Sequence, residues 1–592
     1  MPLIKSPEEL EKVREEILSR RDPHQLCISV CAGASCLASG AGEVIAAFKA
    51  ELEKQNINAD VDTKGSGCPG FCEQGPVVVI HPEEICYLQV TPDDAGEIIS
   101  QTIVGKKPVE RLLYTDPDTG NKVVKMNDIP FYKNQVRHLI GNNIKIDPKS
   151  IDDYLAQGGY AALAKAMHEM SPEQVIEEVK ESGLRGRSGS GFPAGRKWEF
   201  CRNSEDEHKY VICNCHEGDP GSYADRRLTE GNPHNVLEGI IIGAYAIGAQ
   251  DAFVFVGDEF PQTVENMRLA IKQAEEYGFL GKDILGSGFD LTVRISIDGG
   301  GYVLGESTAL MASMEGRIGE PKTKYDHATD RGLWAKPTVL NNLQTWANVP
   351  LIINNGAAWF RQTGTDGSTG TRVFSITGKI KNSGMIEVPM GMSLKEVIYD
   401  IGGGTVTDKK FKAIQVGGPL GGFVPESQLD VQVDYDQMTD AGLAMGPGLI
   451  VADESTCIVD MVKYFLTFLA HESCGKCTPC REGGYWLGQI LTRIDTGTGR
   501  MEDLELLEDL CDNIFGRAFC ALADGMVSPI RSSLEYFRDE YVEHIRRGMS
   551  PYGVAPRRDI EVVEFTRGGG YEPVPPATPE RETEPADGGL SR

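Results

Sequence analysis

The sequence predicts a multidomain α/β chain that closes in a helical bundle. Three features carry this: a length of 592 residues, strand-length apolar runs alternating with helical patterns up to about residue 450, and helical periodicity after Asp453. A chain of that length exceeds one hydrophobic core, and roughly three to five domains are expected. With 40% hydrophobic and 25% charged residues, the composition is that of an ordinary globular protein.

In order along the chain, residues 1–22 form a charged helical pattern without the apolar core of a signal peptide. Residues 23–105 read as a small α/β unit with cysteines in its loops. Its strands are Leu26–Cys31, Val61–Lys64, Val77–Ile80 and Tyr87–Val90, with helices from about Gly40 to Lys54 and over Asp93–Thr102. Residues 106–150 lack periodicity and read as a linker that wraps a neighbour. Residues 151–371 form a larger α/β block. Ser171-Pro172-Glu173-Gln174 starts a helix there, with Ser as cap, Pro in the first turn and Gln at the capping-box position. Tyr210–Cys213 and Ala252–Val256 are apolar runs of strand length. Residues 372–452 change to short strands and turns, including Gly402-Gly403-Gly404 and Gly417-Gly418-Pro419. Residues 453–548 are helical, and 549–592, rich in Pro, Glu and Gly, read as a disordered tail.

Asp and Glu number 87 against 59 Lys and Arg, a net charge of −28. Nucleic acid is therefore not expected as a partner, because phosphate binding requires a basic surface. No apolar run reaches the roughly 18 residues of a membrane span, so direct membrane insertion is not expected. The expected location is cytoplasmic, or peripheral to the inner face of a membrane through partners.

Fifteen cysteines are many for a reducing compartment, where clustered thiols bind metal or do redox chemistry. Cys474, Cys477 and Cys480 form a C-x2-C-x2-C run, with Cys520 forty residues on. Three thiolates in one tight loop plus a fourth from elsewhere suit a 4Fe-4S cluster, whereas zinc more often draws its ligands as two pairs. Cys31-x4-Cys36 and Cys68-x3-Cys72 lie in loops of the small α/β unit and suit a 2Fe-2S cluster, with a zinc knuckle as the alternative. Of the other seven, Cys27, Cys86, Cys201, Cys457 and Cys511 read as small buried hydrophobes. Cys213-Asn214-Cys215-His216 is either more of the same or a metal corner.

Three glycine-rich or amide-rich elements fall within the larger α/β block. Gly186-Arg187-Ser188-Gly189-Ser190-Gly191-Phe192-Pro193 leads to Lys197, with Arg and Lys to supply charge. Converging backbone N–H groups of this kind cradle phosphate. Asp298-Gly299-Gly300-Gly301-Tyr302-Val303-Leu304-Gly305-Glu306 offers close backbone approach, an aromatic ring and a carboxylate. Lys336-Pro337-Thr338 precedes Asn341 and Asn342, whose amides can grip ribityl hydroxyls or phosphate. Together they favour a nucleotide or flavin site over coincidental turns.

On these motifs, residues 25–548 resemble the flavin-carrying NADH-dehydrogenase subunit of respiratory complex I. They are also similar to beta subunits of NAD-linked hydrogenases and formate dehydrogenases, which carry a fused ferredoxin domain in front. The resemblance implies a thioredoxin-like 2Fe-2S domain, a Rossmann-like flavin domain, a ubiquitin-like (SLBB-type) β-grasp domain and a helical bundle holding the 4Fe-4S cluster. It implies FMN and NAD(H) as further cofactors, with Gly186, Arg187, Gly189, Gly191, Lys197, Asn214, Glu217, Asp219, Tyr302, Gly305, Glu306, Asn341, Asn342 and Thr345 at the flavin. Phe192, Phe200 and Lys324 are implied for the dinucleotide. No side chain need act as acid or base, since the cofactor carries the chemistry. Implied partners are other redox subunits: a small ferredoxin-type subunit and a catalytic or cluster-rich one.

The departures from that family concentrate around the flavin and dinucleotide, not the clusters. Ser188 stands where the loop usually has a third glycine, His216 replaces an aspartate, and Cys215 a small residue. Ser307 replaces a second glutamate, and Tyr325-Asp326-His327 replaces Pro-Pro-Phe. Two readings follow: an NAD(H)-dependent module, or an electron-transfer scaffold that keeps clusters but has lost or altered dinucleotide binding. No cysteine follows Cys520, so the extra C-terminal ferredoxin domain of many bifurcating relatives is not expected.

Overall fold

Pro7–Ser19 forms the first helix because Ser6 Oγ accepts the Glu9 N–H and Pro7 fits the first turn. Its buried face, Leu10 and Ile17, packs on helices Ile151–Ala156 and Ala161–Glu169, and Arg21 reaches Asp153 at 2.6 Å. The computed structural model describes residues 3–21, 25–57, 61–117, 119–323, 325–406 and 409–553. The expected tail beyond 553 lies outside the described residues.

The small α/β unit is a four-stranded sheet of β1 (Leu26–Cys31), β2 (Val61–Ser66), β3 (Val78–His81) and β4 (Ile85–Tyr87), ordered β2-β1-β3-β4. Only the β1–β2 pair is parallel among these. The last strand ends at Tyr87 instead of running to Val90, because Gln89 adopts a φ of 51° that no strand continues through. A short helix, Ala34–Ala38, precedes the expected one at Ala41–Lys54 and carries Cys36.

Residues 106–150 pair briefly as β5 (Tyr114–Thr115) and β6 (Lys122–Val123) and then cross to a later domain. There the buried Glu387 carboxylate accepts the N–H groups of His138, Leu139 and Ile140 at 2.9–3.0 Å and the Thr371 hydroxyl at 2.5 Å. One buried acceptor thus fixes residues 138–140 of this aperiodic segment.

The larger block holds four parallel strands: β7 (Tyr210–Asn214), β8 (Asp251–Val256), β9 (Thr292–Ile297) and β10 (Thr338–Asn342), ordered β10-β7-β8-β9. The central runs are apolar throughout because helices cover both faces. The Pro233–Ile247 helix lies flat on Leu343–Asn355, and a Cβ at Gly239 would fall 2.0 Å from the Trp346 carbonyl oxygen. The Ser171 capping box forms as the sequence predicts.

Next come β11 (Thr371–Gly378), β12 (Gly384–Pro389), β13 (Phe411–Val416), β14 (Gly422–Pro425) and β15 (Gly448–Asp453), ordered β12-β11-β15-β13-β14 with β11 and β15 parallel. The helices Ile458–His471, Thr478–Asp495, Glu502–Ile514 and Leu522–Arg547 close the structure around a core of their own that includes Leu466, Leu487, Leu507 and Met526.

Candidate functional site

A cavity of about 740 Å³ opens on the C-terminal side of the parallel sheet, beyond the ends of β7, β9 and β10, the crevice where open α/β sheets bind ligands. The loop Gly186–Phe192, the ends of β7 and β10, the turn after β9 and residues Cys520–Leu522 of the bundle all line it. The expected flavin residues Gly186, Arg187, Lys197, Asn214, Glu217, Asp219, Tyr302, Gly305, Glu306, Asn341 and Asn342 lie on its wall, as do Phe192 and Phe200. Both of those rings are more than 40% exposed, so they stand at the rim.

Three expected residues act from behind the wall. Gly189 and Gly191 hold φ values of +127° and +62°, with no room for a Cβ against the Met445 carbonyl or the Tyr435 ring. Thr345 is buried and accepts the Arg187 N–H at 3.0 Å, which fixes the loop from below. Lys324 lies outside the described residues. The Arg187 side chain departs from its expected role as phosphate charge. Its buried guanidinium donates to the carbonyls of Arg185, Thr369 and Thr371, tying the loop to the start of β11. Charge at the cavity comes instead from Lys197, which reaches the Leu340 carbonyl at 3.0 Å and Asn341 Oδ1 at 3.2 Å, and from Arg196.

The carboxylates are sorted by partner. Glu217 accepts the N–H groups of Asp225 and Arg226 at the start of the Ala224–Gly231 helix, and burial followed by the nearby Asp225 pushes its pKa far up. Asp225 accepts from Gln344 Nε2 and from Asn342 Nδ2. Asp219 accepts the Tyr302 hydroxyl at 2.5 Å, and burial pushes its pKa up to about 6. Glu306 caps the following helix, accepting from the N–H groups of Thr308 and Ala309.

The residues present fit a bound flavin. Asn341 is 3% exposed, and its Nδ2 is buried with no partner among the described residues, although Asn341 lines the cavity. A buried donor left unmet costs about 1–3 kcal/mol, which a ligand acceptor would recover.

Both cysteine sets converge. In the small unit, a Cβ placed on Gly33 would sit 3.6 Å from Cys68 Sγ and 3.7 Å from Cys31 Sγ, and one on Gly75 would lie 2.7 Å from Cys36 Sγ. Hydrogen bonds from Cys31 and Cys72 hold the Cys68 thiol well below its ordinary range. In the bundle, Cys480 interacts with Cys474 and Cys477, and Cys520 with Cys480 and Cys474. The Phe519 N–H points at Cys477 Sγ at 3.5 Å and Ser473 Oγ lies 3.2 Å from Cys480 Sγ, as donors to cluster sulfur would. Burial pushes the Cys520 thiol up to about 11, a cost that ligation as thiolate to a metal would offset. Cys520 also lines the 740 Å³ cavity, so this set and the residues expected at the flavin share one wall.

The metal-corner alternative at Cys213-Asn214-Cys215-His216 does not form. The Cys213 and Cys215 sulfurs lie 3.5 Å apart in the apolar core, while Asn214 and His216 face the cavity on the other side of the strand. Of the other unassigned cysteines, Cys27 is half-buried and Cys86, Cys201, Cys457 and Cys511 are buried.

Sequence reasoning missed the residues that join the parts. Arg227, 5% exposed, donates to Glu230 at 2.8 Å and to Ser35 at 2.6 Å, beside Cys68 and Cys72. Asn143 Nδ2 donates to the Cys68 carbonyl at 3.0 Å. In the sequence Asp298 is only the first residue of a glycine turn, yet it is buried next to His216. Its place one residue past a strand end was the available signal.

Family comparison agrees with this order of parts. Residues 16–102 match the thioredoxin-like 2Fe-2S ferredoxin, 179–351 the Nuo51 FMN-binding domain, 373–424 the SLBB domain, and 460–544 the NADH-ubiquinone oxidoreductase-F iron-sulfur binding region. The chain is 48% identical over 414 residues to the HndC subunit of the NADP-reducing hydrogenase of Solidesulfovibrio fructosivorans, covering 70% of this chain and 84% of that protein. It is 44% identical to an NADH-quinone oxidoreductase subunit of Rhizobium meliloti, covering 69% of this chain and 97% of that one. Among solved structures, the NAD+-reducing NiFe hydrogenase in its H2-reduced state shares the fold. Its TM-score is 0.62 at 24% identity, with 92% of this chain and 90% of that one covered. With the cavity, both thiol sets and the domain order in place, the chain belongs to the family of flavin-carrying NADH-dehydrogenase subunits of the NADH-quinone oxidoreductases.

Proposed function

We propose that FMN occupies the 740 Å³ cavity, that Cys31, Cys36, Cys68 and Cys72 hold the 2Fe-2S cluster, and that Cys474, Cys477, Cys480 and Cys520 hold the 4Fe-4S cluster. The chain is an NADH-dehydrogenase-type flavoprotein that passes electrons between NAD(H), FMN and iron–sulfur clusters as part of a larger redox complex. The observation that carries the site assignment is the shared wall: loops at three strand ends and Cys520 face the same volume.

Held by these residues, FMN would supply hydride acceptance from a nicotinamide and one-electron release to the clusters. The chain's residues place it for this. The Gly186–Phe192 loop is pinned by Thr345 and by the Arg187 guanidinium, so its backbone N–H groups are set before a phosphate arrives. Lys197 supplies the opposing charge, and Asn341 the unmet donor. Phe192 and Phe200 offer exposed rings at the rim for stacking a dinucleotide.

Two exits leave the cavity. Cys520 leads directly to the bundle thiols. The Ala224–Gly231 helix leads the other way, from Asp225 on the wall to Arg227 and Gly231 against the small unit. Eight residues at 1.5 Å each span about 12 Å. Cys474 is exposed, which puts the bundle set near the surface where a partner can take electrons. The partners this reading requires are a small ferredoxin-type subunit and a catalytic or cluster-rich one. The proposed location is cytoplasmic, peripheral to a membrane only through them, and no described helix is long and apolar enough to cross one.

The scaffold alternative gains no support, since His327 and Ser307 line the same cavity as the flavin residues and leave it open. The test is direct. Reconstituted protein holds one FMN and, from four plus two, about six irons, and anaerobic NADH bleaches the flavin. Bound flavin that stays oxidised under NADH while dithionite reduces the clusters overturns the reading.

A further inference from the structure

His216 and Asp298 form a buried pair on the cavity wall. Their side chains are 3% and 0% exposed, and His216 Nε2 lies 3.6 Å from Asp298 Oδ2. Asp298 Oδ1 accepts the Gly300 N–H at 2.9 Å, whereas Oδ2 has no hydrogen-bond partner among the described residues. His216 lines the cavity and is held there by its own N–H donating to Asn214 Oδ1 at 3.0 Å. Its ring packs tightly: a Cβ on Gly305 would lie 3.0 Å from Nδ1 and one on Gly218 3.1 Å from Cε1. The imidazole therefore has one edge toward a buried carboxylate and borders the space assigned to FMN.

The titratable groups facing the pair are mostly acidic. Asp258 and Glu259, beyond β8, approach Asp298 to within 4.8 Å. Glu217 and Asp219 share the His216 loop, and Tyr302 stands across from it with its hydroxyl on Asp219. Burial raises the pKa of Asp298, so its charge is costly without a cation nearby. Two electrons arriving in this acidic, poorly solvated setting add negative charge, which favours the protonated state of any adjacent base. Imidazole is the side chain that changes charge near neutral pH.

We infer that His216, oriented by Asp298, takes up a proton when the bound flavin is reduced and releases it when the clusters reoxidise the flavin. The balance is complete. The dinucleotide delivers two electrons and one proton as hydride, and solvent supplies a second proton, held at His216. Both electrons leave to the clusters, and both protons return to solvent. His216 touches the flavin site, and Asp298 is a positioning residue that acts through it. The inference rests on the assignment of FMN to this cavity.

The test is redox potentiometry of the flavin in the holoprotein from about pH 5.5 to about pH 8.5. It compares wild type, His216→Asn, Asp298→Asn and Asp219→Asn. In wild type the midpoint potential is expected to fall with pH by one proton more per two electrons than in H216N. D298N, which removes the carboxylate favouring imidazolium, is expected to move the break in slope toward acid. D219N removes the Asp219 contribution near pH 6 and is expected to leave the remaining, His216-dependent break in place. Flavin-loaded H216N with the wild-type pH dependence overturns the inference, as does a break lost only in D219N. Should H216N fail to hold flavin, an unmoved break in D298N overturns it. Absence of flavin from the wild type would instead overturn the cavity assignment.

Discussion

The Tyr302 hydroxyl donates to Asp219 Oδ1 at 2.5 Å, bridging the turn after β9 to the loop after β7 on the cavity wall. Burial holds the Asp219 pKa at about 6, above its ordinary value of 3.8. A carboxyl raised in the folded state favours folding while protonated, and that contribution is lost as pH climbs from about 4 through about 6. Asp219→Asn keeps an acceptor for Tyr302 and carries no charge. In flavin-free protein it is expected to be stabilised relative to wild type by about 2–3 kcal/mol at pH 7.5, with the difference vanishing near pH 4. Paired thermal melts across that range check it.

Cys520→Ser removes a ligand from the bundle set alone. The 4Fe-4S signal is expected to disappear from electron paramagnetic resonance spectra of dithionite-reduced protein while the 2Fe-2S signal persists. Loss of both signals would show that the eight cysteines are wrongly partitioned.

Lys197→Met and Asn341→Ala each remove a polar contact that the cavity offers. Each is expected to weaken FMN binding about tenfold to a hundredfold, the range for a hydrogen bond to a charged group. Fluorescence titration of flavin into the flavin-free protein measures this. The fold should be unchanged, because neither side chain bridges two domains.

Gly67 backs onto the flavin domain so closely that a Cβ there would fall 2.6 Å from the Gly231 carbonyl oxygen. Gly67→Ala is expected to cost about 1–3 kcal/mol by overpacking. It should also slow electron transfer between flavin and the 2Fe-2S cluster while leaving that cluster's spectrum intact. Rapid-mixing optical spectroscopy separates the two effects.

Residues that act through local pattern were legible in the sequence. The Ser171 capping box and the β1 strand depend on spacings of a few residues, and they stand where those spacings predict. Residues that act across domains were not. Glu387 is an ordinary strand glutamate until it collects three N–H groups from a segment some 250 positions earlier. Arg187 reads as a phosphate ligand in a glycine loop, yet its guanidinium goes to carbonyls at the start of β11. His216 and Asp298 are 82 residues apart and become a pair only because β7 and β9 flank β8 in one parallel sheet. Strand order, which single-sequence periodicity does not encode, decides that pairing.

On the proposed assignment, electrons pass from NADH through a flavin to both clusters. Anaerobic mixing of reconstituted protein with NADH, frozen at short times for electron paramagnetic resonance, tests it most directly. Flavin bleaching accompanied by reduced-cluster signals is the predicted result. Oxidised flavin and silent clusters under NADH, with both clusters reducible by dithionite, would contradict it.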